Sequence, residues 1–466
     1  MDLLLTDALV VTGDGARRVL PRSSIAVRGT RIAAVGDSAA LEADPAHADL
    51  PRMPGRGLMA LPGLVNAHTH TVLLALRGTV EDWEGEAIYR YMSPVSYAMT
   101  AEERAAFAVL GCLEAIRSGT TTLVDPFRHV LDYAPAMAAT GMRLWLSESC
   151  ADVDTRRIRH GDHAVDPAFG QGFLDRTAAL IEAMHGSHGD RVRCQAAAHA
   201  PDNCSPAMLA AVRDLAARHG LTRTIHLAQS ADEVAAVRAA HGLTPAAYLD
   251  REGFLGPDLA AAHWTFCTRD DIGLLAARGV TMAHCPASIS RRGMHKALIG
   301  PIRDAGVNIA LGTDNMSEDM FQAMAFGSIL HRTGRGRNAE GGVSPSPQAV
   351  LDAATRNAAS SVGALHEIGS IEPGKKADLT IINLDAPALR PAIHPLSNLV
   401  HYGHPGVVHS VMVDGAFLMR DGAVLTLDEP EVLRAAEEAS ARVWARMLAA
   451  NPDLRPPAGS GFGGAA

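Results

Sequence analysis

An apolar run, Leu61 to His70 (LPGLVNAHTH), ends in two histidines two residues apart. On a β-strand side chains alternate with period two, so His68 and His70 share one face and can bind one metal ion together. A solvated pair in a turn has the same spacing, so the pair alone is a weak signal. More such groups follow at the ends of other short apolar runs: Glu148, His199, His226, His263, His284 and Asp314. A hydrophobic strand has no structural need for a histidine at its C-terminal end. Repetition over five strands therefore points to a metal site. Nitrogen and carboxylate ligands without thiolate suit Zn²⁺, with Fe²⁺ as the alternative, and leave a position for water. Such a metal lowers the pKa of its water from about 16 to about 7. Asp314 would ligate it and also take the water's proton. The only lysines are Lys296, Lys375 and Lys376. None can sit on strands one to six, so a two-metal centre bridged by a carbamylated strand-four lysine is excluded and one metal is expected.

These groups need a scaffold that gathers strand ends. Eight strand candidates alternate with helical stretches: 63–68, 121–125, 143–148, 191–199, 223–227, 259–263, 280–284 and 307–314. The helices include Ala101–Ser118 and Ser205–His219. Eight such units predict a (β/α)8 TIM-like barrel with catalytic groups at the C-terminal strand ends. A doubly wound sheet is the alternative, but no Gly-rich dinucleotide turn follows the first strand. Residues 2–36 read as short strands, as do 377–384 and 408–419, with a hairpin turn at Asp414-Gly415. The expected organisation is a small β-sandwich domain from both chain ends (1–60 and 368–428), the barrel (61–367), and a C-terminal helix with a flexible tail (429–466). The helix is read at 431–450, with Leu433, Ala436, Val443 and Met447 on its apolar side.

The bulk properties narrow the class. Hydrophobic residues make up 47% of the 466 and charged residues 20%, as in a globular protein with a large core. A net charge of −9 without a dense basic patch speaks against nucleic acid as a partner. Six scattered cysteines include no Cys-x-x-Cys pair, which argues against a disulfide framework. No apolar run is long enough for a membrane span, and no basic leader marks a signal peptide. The expected location is the cytoplasm.

Taken together, the motifs resemble the amidohydrolase superfamily, in particular its branch of chlorohydrolases and aminohydrolases acting on triazines, nucleosides and related heterocycles. The resemblance is carried by LPGLVNAHTH, RSGTTTLVD (117–125), IHLAQS (225–230), AAH (261–263), AHCPAS (283–288), LGTDNMS (311–317) and IGSIEPGKKADLTIINLD (368–385). It implies that His68, His70, His226 and Asp314 hold the metal. It implies that His263 hydrogen-bonds the attacking water or the substrate, that His199 contacts substrate, and that Asn315 beside Asp314 does too. It also implies a homo-oligomer, dimer or tetramer. His284 is expected to support the site by hydrogen bonding. Trp83 and Trp264 lie beside site segments, where each either walls the pocket or packs in the core. Cys285 reads as a small buried residue.

Three positions depart from the branch's pattern. Gln229 stands where deaminating relatives carry a proton-shuttling Glu, and an amide cannot act as a general acid. Ser96 stands where nucleoside-acting relatives have a ribose-binding Glu, and Glu148 where some have Arg. In addition, Ile289 replaces the usual Asn. An acid at Glu148 and an amide at Gln229 suggest a smaller, cationic or amine-bearing substrate, with Glu148 taking over part of the proton transfer. The reading is a mononuclear metal-dependent hydrolase in which activated water attacks a C=N or C=O carbon of a small heterocycle, releasing ammonia or an amine. The alternatives are hydrolysis of a cyclic amide or a carbon–halogen bond, and a non-catalytic binding or scaffold protein.

Overall fold

The computed structural model describes residues 1–81, 87–293, 297–332 and 344–455. Its centre is a ring of parallel strands in chain order: Leu64–Asn66, Thr120–Phe127, Arg143–Cys150, Ala196–Ala198, Arg223–Leu227, Leu259–His263, Thr281–His284 and Ile309–Leu311. The first and last strands close the barrel. Ala67 N–H donates to Leu311 O at 2.9 Å, and Thr313 N–H to His68 O at 3.1 Å. The expected fourth strand, 191–199, is broken at Gln195 into Val192–Cys194 and Ala196–Ala198.

Inside the barrel one large side chain, Trp145, packs among small ones: Val65, Ala67, Val124, Ala262, Ala283 and Ala310 share its buried cluster with the helix Arg356–Ser361. Their strand neighbours Leu64, Leu123, Ala261 and Met282 face the surrounding helices. This is the period-two alternation expected of a filled barrel. The helix Ala101–Arg117 starts at a capping box, Thr100 with Glu103. The C-terminal helix Glu429–Ala450 packs on it, and Arg446 pairs with Glu103 at 2.7 Å. Its buried face carries Val432, Ala436, Ala439, Val443, Trp444 and Met447, whereas Leu433 is exposed. Ala436, Val443 and Met447 are buried as expected, Val432 takes the place of Leu433, and the indole of Trp444 on the same face donates to Ala75 O at 2.9 Å.

Both chain ends build one mixed sheet of nine strands. Leu379–Asn383 runs antiparallel to Leu58–Pro62 and so joins the distant halves. The Asp414-Gly415 turn has φ of 48° and 71°, the left-handed backbone a two-residue hairpin needs. This sheet is tied to the barrel by Arg143, fully buried at the start of the third strand. Arg143 makes a two-pronged pair with Asp378 (2.7 and 3.1 Å) and donates to Asp414 at 2.7 Å.

Candidate metal centre

Side chains from the mouth of the barrel converge on one point. His70 Nε2 lies 3.1 Å from His226 Nε2 and 3.6 Å from Asp314 Oδ1, and His68 Nε2 lies 3.8 Å from that same oxygen. The ligand atoms of His68, His70 and His226 lie within 4.8 Å of one another, as do those of His68, His263 and Asp314. His226 reaches the group by strand alternation. His68 and His70 lie just beyond the last strand residue, Asn66, and Asp314 lies three residues beyond Leu311. His263 leaves its strand at φ 81° and Asp314 sits at φ 69°. Left-handed backbone at non-glycine residues is costly and is retained where it aims a functional side chain.

The donor chemistry fits a divalent cation. Both ring nitrogens of His68 and Nδ1 of His70 are buried without a hydrogen-bond partner. His226 Nδ1–H donates to His199 O at 2.6 Å, which leaves the Nε2 lone pair turned to the cluster, opposite His70 Nε2. Two lone pairs facing at this distance repel unless a cation or proton lies between them. Burial, together with the neighbouring imidazoles, pushes His68, His70 and His263 well below the usual histidine range, and burial lowers His226 as well. Neutral imidazoles are the ligand form.

Asp314 is held from behind. Its Oδ2 accepts from Ser288 Oγ at 2.5 Å and Asn315 Nδ2 at 2.9 Å, leaving Oδ1 toward the histidines. Beneath the cluster, Glu318 accepts from Thr69 Oγ1 (2.6 Å) and Asn66 Nδ2 (3.0 Å), locking the loops after the first and last strands together. Burial pushes Glu318 well above the carboxylate range. Asp125 accepts from Thr71 Oγ1 at 2.5 Å, and burial pushes it up to about 7. The sequence places Asp125 at the end of the second strand candidate but gives neither acid a role, because their partners come from separate loops.

A cavity opens beside the cluster, lined by His70, His226, Asp314, His199, Gln229 and Asn315 on its polar side. Leu73, Ile88, Met92 and Phe127 form the apolar wall. Gln229 Nε2 is buried there without a partner. His199 takes a 2.6 Å hydrogen bond from Asn203 Nδ2 on Nδ1 and turns Nε2 to the cavity. Two further cations, Arg128 and Arg292, line the same cavity. The second strand runs on to Phe127, two residues past the expected end at Asp125, and this extension brings Arg128, absent from the expected site residues, to the barrel mouth.

Other expected contacts are placed elsewhere. Glu148 is not among the cavity residues; it is fully buried and accepts from the N–H groups of His129 (2.7 Å) and Leu131 (3.0 Å) and from Arg176 Nε (3.2 Å). It caps the helix Val130–Ala139, so a role in proton transfer has no geometric basis. Ser96 donates to Ser93 O and accepts from Arg128, so it acts on the guanidinium and does not line the cavity. Trp264 is fully buried with its indole bonded to Ala261 O at 3.0 Å, the packing alternative. His284 pairs with His331 at 2.8 Å, and Cys285 is buried. Trp83 lies outside the described residues. Glu148→Gln is expected to lower stability by about 2 kcal/mol, read from urea unfolding, because one charged cap is weakened. Its kcat/KM and pH profile should stay within twofold of the parent.

Residues 59–418 match the model of the amidohydrolase family. The chain belongs to the amidohydrolase family. A 5'-deoxyadenosine deaminase of Methanothermobacter thermautotrophicus is 32% identical over 95% of this chain and 98% of its own length. A 5-methylthioadenosine/S-adenosylhomocysteine deaminase of Nitratidesulfovibrio vulgaris is 34% identical over 95% of this chain and 97% of its own. Among solved structures, an adenosine deaminase from Xanthomonas campestris with bound zinc superposes with a TM-score of 0.84 at 27% identity, covering 95% of this chain and 99% of that one. The amidohydrolase assignment and the histidine-rich cluster together identify a hydrolase of non-peptide C–N bonds that uses a divalent metal.

Proposed function

We propose that this amidohydrolase is a mononuclear zinc aminohydrolase that releases ammonia from a small nitrogen heterocycle. The observation that carries the reading is the convergence of His68, His70, His226, His263 and Asp314 on one buried point at the barrel mouth. Relatives named as deaminases and a zinc-bound structural neighbour support it. His68, His70, His226 and Asp314 would hold the metal. When bound, the metal supplies Lewis acidity toward water and toward the carbon under attack.

The chain's own groups do the remainder. Asp314 Oδ1 accepts the water's proton, and Ser288 and Asn315 hold its other oxygen so that the carboxylate does not rotate away. His263, neutral in its buried position, hydrogen-bonds the oxygen on which charge develops. Gln229 donates its free Nε2–H to a ring acceptor, which orients the substrate but moves no proton. Asp314 must then return the proton to the departing nitrogen. His199 contacts the substrate from the fourth strand. The apolar wall of Leu73, Ile88 and Phe127 takes the ring face and excludes water.

The amide at position 229 favours one second reading, hydrolysis of a cyclic amide or carbon–chlorine bond, whose substrates need less ring protonation. A scaffold role is disfavoured by the complete ligand set. We further place the protein in the cytoplasm as a homo-oligomer, dimer or tetramer; its six cysteines are buried and unpaired, and among the described residues no helix is long and apolar enough to cross a membrane. The test is a product screen with zinc-loaded protein on amino-heterocycles, cyclic amides and chlorinated rings. Ammonia from an amino-heterocycle is the expected result. Chloride release or ring opening without ammonia would replace the reading by the second one.

A further inference from the structure

The cavity beside the metal centre holds two guanidinium groups and a single carboxylate, that of Asp314. Arg128 follows the second strand and is buried, with 5% of its surface exposed. Its Nη1 donates to three hydroxyls, Ser93 (3.1 Å), Ser96 (3.3 Å) and Thr155 (3.0 Å), and its Nη2 stands 3.4 Å from His199 Nε2. Hydroxyls place the fork, the Tyr97 and Phe127 rings lie 5.1 and 5.4 Å from its carbon, and Asp154 acts on it only at longer range. Among the described residues Arg128 has no ion-pair partner; the neighbouring Asp154 is engaged by Arg156 at 2.6 Å. Arg292, from the segment after the seventh strand, donates from Nη2 to Ser288 Oγ at 3.4 Å and pairs with Asp314 Oδ2 at 3.7 Å, an oxygen that already accepts from Ser288 and Asn315. Its Nε is buried without a partner among the described residues, as is Gln229 Nε2.

Burying two cations against one cavity beside a divalent metal site is unfavourable unless an anion completes the charge. The cavity is therefore rich in donors and lacks a free acid. This replaces the cationic part of the expected cationic or amine-bearing substrate, which rested on Glu148 and Gln229; of the two only Gln229 lines the cavity. Planar guanidinium forks match a carboxylate by shape as well as charge, and a flat ring suits the apolar wall of Leu73, Ile88, Met92 and Phe127.

We infer that Arg128 and Arg292 form an anion clamp, and that the substrate is a nitrogen heterocycle bearing a carboxylate. This deepens the aminohydrolase reading and rests on it for the reacting end of the molecule. The clamp binds the acid group, Gln229 binds a ring acceptor, and the exocyclic amine is presented to the metal centre.

The test uses full-length zinc-loaded protein and matched pairs of aminopyrimidine carboxylates and their carboxamides. Binding is measured by calorimetry and turnover by ammonia release. The parent is expected to prefer the carboxylate by about 30-fold in Kd, the scale of a charge-assisted hydrogen-bond pair. Arg292→Gln should reduce that ratio about tenfold. Arg128→Gln should do the same, and Arg128→Lys, which keeps the charge and protects the fold, should fall between. A ratio near one in the parent overturns the clamp. So does a preference that survives both Arg→Gln changes, because that is a carboxylate sitting on the metal alone. Ammonia release without carboxylate preference sinks the clamp and leaves the aminohydrolase. Arginine-dependent carboxylate binding without ammonia release does the reverse.

Discussion

Replacing His226 with alanine is expected to leave the protein folded, strip it of metal, and lower kcat/KM by at least about 10³-fold. The orientation of His226 is set from outside the cluster. Its Nδ1–H is committed to His199 O, so Nε2 is fixed toward His70 and the cluster. Removing it takes away one of four nitrogen and oxygen ligands and the tautomer lock with it. The space it leaves is lined by polar groups that water can satisfy. The check is elemental analysis beside steady-state kinetics. The parent should carry close to one metal per chain and the variant less than a tenth of that. Unchanged metal content in His226→Ala would remove His226 from the ligand set. Dialysis of the parent against a chelator should give the same loss of activity, restored by added zinc.

His263→Asn should separate the two duties of the cluster. The variant is expected to keep its metal and to lose about 10²- to 10³-fold in kcat, with KM changed less than threefold. Removing a hydrogen-bond donor aimed at developing charge acts on the transition state, and effects of this size are typical. His263 lies in the group with His68 and Asp314, whereas His70 and His226 form the other group with His68. It is also reached through φ 81°, a conformation that places its ring at the edge of the cluster. Loss of metal from this variant would make His263 a fifth ligand and shift the proton-handling duty wholly to Asp314.

Much of this was legible from the order of residues along the chain. The period-two alternation of 223–227 and 259–263, and the regular return of strand and helix, follow from local side-chain pattern. So does the ordered set from His68-x-His70 to Asp314, because ligands at strand ends are found wherever an apolar run stops on a polar residue. The absence of lysines before Lys296 likewise needs no structure to rule out a bridging carbamylated lysine on strands one to six. What local pattern could not decide is where a side chain points once the strand has ended. His68, His70, His263 and Asp314 all lie at or beyond the last strand residue, where left-handed backbone and cross-barrel bonds such as Thr313 N–H to His68 O set direction. Glu148 and Arg128 show the consequence. Both follow apolar runs, but only Glu148 reads from the sequence as a charge near the site. The carboxylate is spent on the N–H groups of a helix start seventeen to nineteen residues away in sequence. The guanidinium is turned to the cavity by hydroxyls from two other segments. A charge whose partners come from distant segments takes its role from the packing that brings them together, so the kind of chemistry was written in the chain, and the sign of the charge awaiting the substrate was decided by the tertiary structure.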